Sequence, residues 1–189
     1  PPGAPRVVFM LSKLGYGIDV DALKETLRQV CNIPGIACAI KPHTRGMKFD
    51  FMSVSELGAA MVVDDIPSPA LIDWADIVLF TGSSIVFHAS ERGKRVGFLN
   101  YCQDLETIFD DGLACDRFDS FKQLTTFIEE WRDHGATILH PAEREKRKQW
   151  HQELQDKFGL QALILEAKSY TTAHKQGQLN PFLAESGPI

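Results

Sequence analysis

The sequence predicts an α/β protein with a Rossmann-like doubly wound parallel sheet and a C-terminal helical extension. Three observations predict it. Strand-sized apolar runs recur at Arg6 to Leu11, Ile36 to Ile40, Ala59 to Val63, Ile77 to Phe80 and Arg95 to Leu99. Stretches of helical period lie between several of them, and Gly, Pro, Asp and Ser punctuate the joins. Strands that alternate with helices pack into a parallel sheet covered on both faces.

The first strand leads through Ser12-Lys13-Leu14-Gly15-Tyr16-Gly17 to Asp19, which is placed to cap a helix over Val20 to Val30. Leu23, Leu27 and Val30 repeat at i, i+4 and i+7, the stripe that packs on a sheet. Asn32 to Gly35 turns the chain, and a right-handed crossover makes Ile36 to Ile40 parallel to the first strand. Between Met47 and Leu57, where Phe49 and Phe51 alternate, the only element assigned is a short helix at Val54 to Gly58. After the strand Ala59 to Val63, Asp64-Asp65-Ile66-Pro67 forms a turn and Ser68 caps Pro69 to Trp74, with proline in the first helical turn. Asp76 precedes the strand Ile77 to Phe80. Ser83 or Ser84 begins a helix that runs to about Arg92 and ends at Gly93. Beyond Arg95 to Leu99, Asp119 or Ser120 caps Phe121 to Arg132, where Leu124, Phe127, Ile128 and Trp131 line one side.

Residues 1–5 read as a linker, 6–135 as the Rossmann-like domain and 136–189 as a helical extension with a loose tail. In the extension, Trp150, Leu154 and Phe158 give Ala142 to Phe158 one docking edge. The opening Pro1-Pro2-Gly3-Ala4-Pro5, with no initiating Met, raises the expectation of an interior piece of a longer protein. A net charge of −5 argues against a general nucleic-acid binder, which carries a basic stripe. No apolar run approaches the roughly 20 residues of a membrane-spanning helix. Cys31, Cys38, Cys102 and Cys115 show neither C-x-x-C pairing nor ligand spacing with His, so neither zinc nor a disulfide framework is expected, and a reducing, cytoplasmic setting is.

Function is expected where two loops leave the carboxyl edge of the sheet from strand tips taken as neighbours. The first, Lys41-Pro42-His43-Thr44-Arg45-Gly46, offers an ammonium, an imidazole, a hydroxyl and a guanidinium; the second, Thr81-Gly82-Ser83-Ser84, offers hydroxyls and backbone N–H groups at a helix start. Both suit a phosphate. Plainer readings stand beside this one: His43 as a loop histidine on a backbone carbonyl, and Ser83 and Ser84 as ordinary caps. Ser12 and Gly15, in the loop after the first strand, are candidate nucleotide contacts, although that loop also suits a plain turn. His88 stands one helical turn beyond Ser84, where it reaches the same cleft edge or packs in the helix–sheet interface. Asp104 and Glu106 are placed to receive a ribose hydroxyl or to serve as helix N-terminal charges. His134, His140 and His151 read as solvated.

The order of these features resembles the C-terminal donor-nucleotide-binding lobe of GT-B-fold glycosyltransferases, closest to those of bacterial surface-polysaccharide synthesis. The resemblance covers roughly Arg6 to Trp131. It rests on K-P-H-T-R after the second strand, W-A-D before the fourth, G-S-S-I at a helix start and G-K-R-V after that helix. It implies that His43 and the pair Ser83 and Ser84 hold the donor phosphate without a metal. Thr44 departs from the proline of the family pattern, and His88 stands where relatives carry a ribose-binding Glu. The implied reaction moves a sugar or polyol phosphate from a CMP, CDP or UDP donor to a glycan acceptor, with no other cofactor, at the inner face of the membrane. The catalytic base would belong to an N-terminal acceptor-binding lobe with no counterpart in this chain. Rival expectations are a noncatalytic α/β interaction domain and a sugar-nucleotide epimerase-like domain.

Overall fold

The computed structural model describes residues 4–14, 17–43, 49–103, 115–135, 145–147, 149, 152, 153 and 156. Their elements run β1 (Arg6–Met10), α1 (Val20–Cys31), β2 (Ala37–Lys41), β3 (Met61–Val62), α2 (Ser68–Trp74), β4 (Ile77–Phe80), α3 (Ile85–Glu91), β5 (Arg95–Leu99), β6 (Asp116–Phe118) and α4 (Phe121–His134). Short 3-10 helices occupy Val54–Leu57 and Asn100–Cys102. Among the described residues the sheet has six strands in the order β3-β2-β1-β4-β5-β6, and each neighbouring pair of strands is parallel. This is the doubly wound arrangement, in which the chain builds outward from β1 through β2 and β3, then crosses to the other side of β1 and builds outward again.

The strand tips bearing the two candidate loops are therefore not neighbours. β1 pairs with β2 on one side and with β4 on the other, so it stands between them. At the usual strand spacing the tips of β2 and β4 are about 10 Å apart. The reversal of direction at β1 is the cause, and it opens a crevice between the connections that diverge there.

Alternating side chains divide the core into two layers. Val7, Phe9, Ile40, Ile77 and Leu79 pack beneath α1 and α4 with Leu23, Leu27, Leu124 and Ile128. Val8, Met10, Val78, Phe80, Val96 and Phe98 pack beneath α2 and α3 with Leu71, Ile72, Val86 and Phe87. Phe80 and Phe98 meet with ring centroids 5.4 Å apart. Burying each such side chain contributes about 1.5–3 kcal/mol, which is why the strands read as apolar runs.

Ionic pairs pin the amino edge of the sheet. The Arg6 guanidinium donates to both Asp76 oxygens, at 2.7 and 3.1 Å, while the Arg6 backbone N–H donates to the same carboxylate at 2.9 Å. That guanidinium holds the Asp76 carboxyl below its ordinary range. Arg95 at the start of β5 and Arg147 in the extension both donate to Asp116 at the start of β6.

Several boundaries differ from expectation for local reasons. β3 is only two residues because Gly58, at φ 58°, and the bond from Ala60 N–H to the Leu57 carbonyl hold the chain in a turn beforehand. Pro67 occupies the cap position of α2 and Ser68 is already helical, so Ser68 is not the cap. Of the two candidate caps for α4 it is Ser120 that accepts from Gln123 N–H, and the helix continues to His134 before Gly135 turns at φ 81°. β6 was not anticipated, because only Phe118 of its three residues is buried. The expected linker lies largely outside the described residues, as does most of 136–189, where the described residues 145–147, 149, 152, 153 and 156 are helical.

Gly97 is held without a side chain: a Cβ there would lie 2.6 Å from the Phe118 ring and 2.7 Å from Leu79. We expect Gly97→Ala to cost about 1–3 kcal/mol, measured by urea unfolding, with no effect that depends on pH. Asp76→Asn should cost on the order of 0.5–1 kcal/mol at pH 7. Because the folded-state pKa of Asp76 is depressed, its contribution is present above the ordinary carboxylate value of about 3.9 and is lost as pH falls through the folded value. Wild type and variant should thus converge in stability under acid.

Candidate functional site

The crevice opens at the carboxyl ends of β1 and β4. Ser12, two residues past β1 and 6% exposed, donates its hydroxyl to the Gly82 carbonyl at 2.9 Å and ties the two tips together. Gly82 has φ 146°, a conformation that L side chains rarely adopt, and a Cβ there would come within 3.0 Å of the Gln103 amide nitrogen. Thr81, just past β4, is 1% exposed, and its Oγ1 has no hydrogen-bond partner among the described residues. The Ser83 hydroxyl accepts from Ile85 N–H at 3.4 Å. Ser84 occupies the cap position of α3 with helical torsions and makes no side-chain cap bond, so its exposed hydroxyl is not spent on the helix.

The third wall comes from the segment after β5, where sequence reasoning singled out Asp104 and Glu106 but not Gln103. Ile18 and Gln103 form an isolated antiparallel bridge, and Asp19 N–H donates to the Cys102 carbonyl at 2.9 Å. The loop before α1 therefore reaches past β4 to the exit of β5. Beneath it, the Thr26 hydroxyl donates to the Ala22 carbonyl at 2.8 Å, which leaves the Tyr101 hydroxyl to donate to Thr26 Oγ1 at 2.7 Å. Burial raises the Tyr101 pKa, so the phenol stays protonated and the bond persists at neutral pH. Burial likewise pushes the Cys102 thiol up to about 11. Gln103, anchored on this support, holds its amide against Gly82, and its Oε1 is buried with no partner among the described residues. The signal available in the sequence was Gln103 itself, a polar residue following Asn100-Tyr101-Cys102 at a strand exit.

His43 lies two residues past β2 and is half-buried on the far side of β1 from Ser83 and Ser84. A ligand touching both must lie over the end of β1. Lys41, 5% exposed, is turned along the sheet, and its ammonium donates to the Asp64 carbonyl at 2.6 Å. Burial lowers its pKa against the opposing pull of Asp64 and Asp65. His88 is buried on α3, close enough to Asp73 of α2 to help lower that carboxylate's pKa, to which the Arg92 bond contributes most. Arg45, Gly15, Asp104 and Glu106 lie outside the described residues.

No family model matches the chain, and no curated protein matches it. Solved structures do. The chain is similar to TarM with a TM-score of 0.57 at 12% identity, covering 82% of this chain and 34% of that one. It is similar to the glycotransferase of kitacinnamycin with a TM-score of 0.52 at 18% identity, over 82% of this chain and 40% of that one. A variant of Os79 from O. sativa, solved in complex with UDP, gives 0.52 at 17% identity, over 82% and 36%. The chain thus has the fold of one lobe of a GT-B glycosyltransferase, and it spans well under half the length of these structures.

The geometry separates Lys41 from the crevice groups. Lys41→Met should lower the melting temperature by a few degrees, through loss of the Asp64 bond, and should leave nucleotide affinity within about twofold of wild type by calorimetry.

Proposed function

We propose that this chain is the donor-binding lobe of a glycosyltransferase that moves a sugar, or a polyol phosphate, from a nucleotide-activated donor to a glycan acceptor without a metal ion. One observation carries the reading: the His43 loop and the Thr81–Ser84 loop leave the same edge of a parallel sheet on either side of β1, at the point where strand order reverses. Nucleotides bind at that point in doubly wound sheets. The fold shared with solved glycosyltransferases, one of them holding UDP, supports the same class of donor here.

When the bond to the donor phosphate breaks, negative charge grows on the departing nucleotide. Hydrogen-bond donors already aimed at that position stabilise it without further reorganisation. His43 supplies an imidazole N–H from one side, and the Ser83 and Ser84 hydroxyls supply O–H donors from the other. Gly82 allows the backbone to approach the ligand where a side chain would obstruct it. The acceptor and the base that deprotonates it belong to a second, N-terminal lobe, and the complete enzyme would work in the cytoplasm, at the inner face of the membrane.

Calorimetry of the chain with CMP, CDP, UDP, TDP and GDP tests the reading. At least one should bind, and His43→Ala and Ser84→Ala should each weaken that binding about tenfold with an unchanged melting temperature. Binding of none of the five would overturn it, and lost stability without any ligand effect would mark a structural domain instead.

A further inference from the structure

Two thiols that take no part in the crevice face each other beneath α1. Cys31 is the last residue of α1 and Cys38 the second of β2, and their Sγ atoms lie 3.0 Å apart, one donating its S–H to the other. Both pack in the layer of Leu27, Val30 and Ile40, which are wholly buried, but neither cysteine is sealed as they are: 7% of Cys31 and 6% of Cys38 remain open to solvent.

The backbone sets this spacing from both sides. Asn32 N–H donates to the Gln29 carbonyl at 3.2 Å and Ile33 N–H to the Val30 carbonyl at 3.1 Å, which finishes the helix beside Cys31. Gly35 turns the chain at φ 79°, and Ala37 N–H donates to the Pro5 carbonyl at 2.9 Å, which starts the strand beside Cys38. A disulfide holds its sulfurs at about 2.05 Å, so closing the 3.0 Å gap draws each sulfur in by about 0.5 Å.

We propose that Cys31 and Cys38 are a redox modification site, a dithiol that hydrogen peroxide closes to an intramolecular disulfide and that thiol reductants reopen. In the first step Cys31, having given up its proton, attacks one peroxide oxygen; the O–O bond breaks, the departing hydroxide takes up the proton and leaves as water, and Cys31 becomes a sulfenic acid. Cys38 then attacks the Cys31 sulfur, the S–O bond breaks, and the hydroxide leaves as a second water with the proton from Cys38. Two thiols and one peroxide thus give one disulfide and two waters, with two electrons passing from sulfur to oxygen. Reopening by two molecules of a thiol such as glutathione returns both protons and leaves the reductant as its own disulfide.

The order of the steps follows from the surroundings. The contact with Cys31 and burial hold the Cys38 pKa well above the ordinary thiol range, so Cys38 keeps its proton at neutral pH and acts second. With that thiol already in contact, the second step is intramolecular and outruns further oxidation of the sulfenic acid. The bond joins the end of α1 to the start of β2, whereas His43 follows the other end of that strand, so the pair stands apart from the donor crevice and does not depend on the function proposed for it.

Thiol mapping tests the site. Folded wild-type chain is treated with hydrogen peroxide below its melting temperature, and remaining thiols are blocked with iodoacetamide in denaturant. Trypsin releases both cysteines in one peptide, Gln29 to Arg45, because Pro42 protects the bond after Lys41. That peptide should carry no label and be lighter by two hydrogens, and after dithiothreitol it should take two labels. The oxidised chain should also melt about 5 °C or more above the reduced one, as a cross-link that restricts the unfolded chain makes it do. Cys31→Ala and Cys38→Ala should each abolish that shift. Two labels on the peptide after peroxide overturn the proposal, as do sulfinic or sulfonic acid at either cysteine of the wild type, a bond from either to Cys102 or Cys115, or equal melting of the oxidised and reduced chains. If a variant fails to fold, the wild-type mapping and melting comparison decide the matter alone.

Discussion

The pairing of β1 with β4 is the constraint on which the rest depends. These strands are about 70 residues apart in the chain, yet they lie side by side from Val7 opposite Ile77 to Met10 opposite Phe80. Both are buried on both faces, so neither can slip without moving apolar side chains into the wrong layer. Because β1 is also committed to β2, the chain has to leave β1 toward one side and return to it on the other. The crevice follows from that commitment, and the Ser12 bond to Gly82 holds its floor at a fixed width.

Polar chemistry is distributed unevenly between the two ends of the sheet. At the amino ends, full charges are spent on each other: Arg6 with Asp76, and Arg95 and Arg147 with Asp116. Among the described residues, the crevice groups at the carboxyl ends are hydroxyls and an amide, on Ser12, Thr81, Ser83, Ser84 and Gln103, with the His43 imidazole across β1. Ion pairs fix strand register in a partly desolvated setting, whereas neutral donors and acceptors can wait for a ligand at lower cost than bare charges could. Lys41 illustrates the division. It sits at the carboxyl end of β2, but its ammonium is used internally on the Asp64 carbonyl.

Most of the fold was legible because its signals are local. The strands Ile77–Phe80 and Arg95–Leu99 are apolar runs bounded by Asp, Gly and Lys, and Asp19 caps α1 as its position implied. β6 was not legible, since a three-residue strand with one buried side chain carries no period. In the site, Ser12, Thr81 and Gly82 could be read as loop residues at strand exits. That β1 would separate the His43 and Ser83 loops could not, because strand order is decided by which layers the helices cover. The place of Gln103 against Gly82 was not legible for a related reason. What brings it against Gly82 is the Ile18 bridge and the Tyr101 bond to Thr26, contacts between segments about 75 to 85 residues apart in the chain.

The two outermost strands are also the shortest, with two residues in β3 and three in β6. An exposed strand edge offers unpaired N–H and C=O groups to any other chain that can lie beside it, and the strength of that invitation grows with the length of the row. Here the row at each side stops almost as soon as it starts. Around β3 the large apolar side chains Met61, Val54 and Ile66 are exposed, which would otherwise make that flank adhesive. Among the described residues, brevity of the backbone template therefore limits what that flank offers to another chain, without a proline or a charged residue in β3.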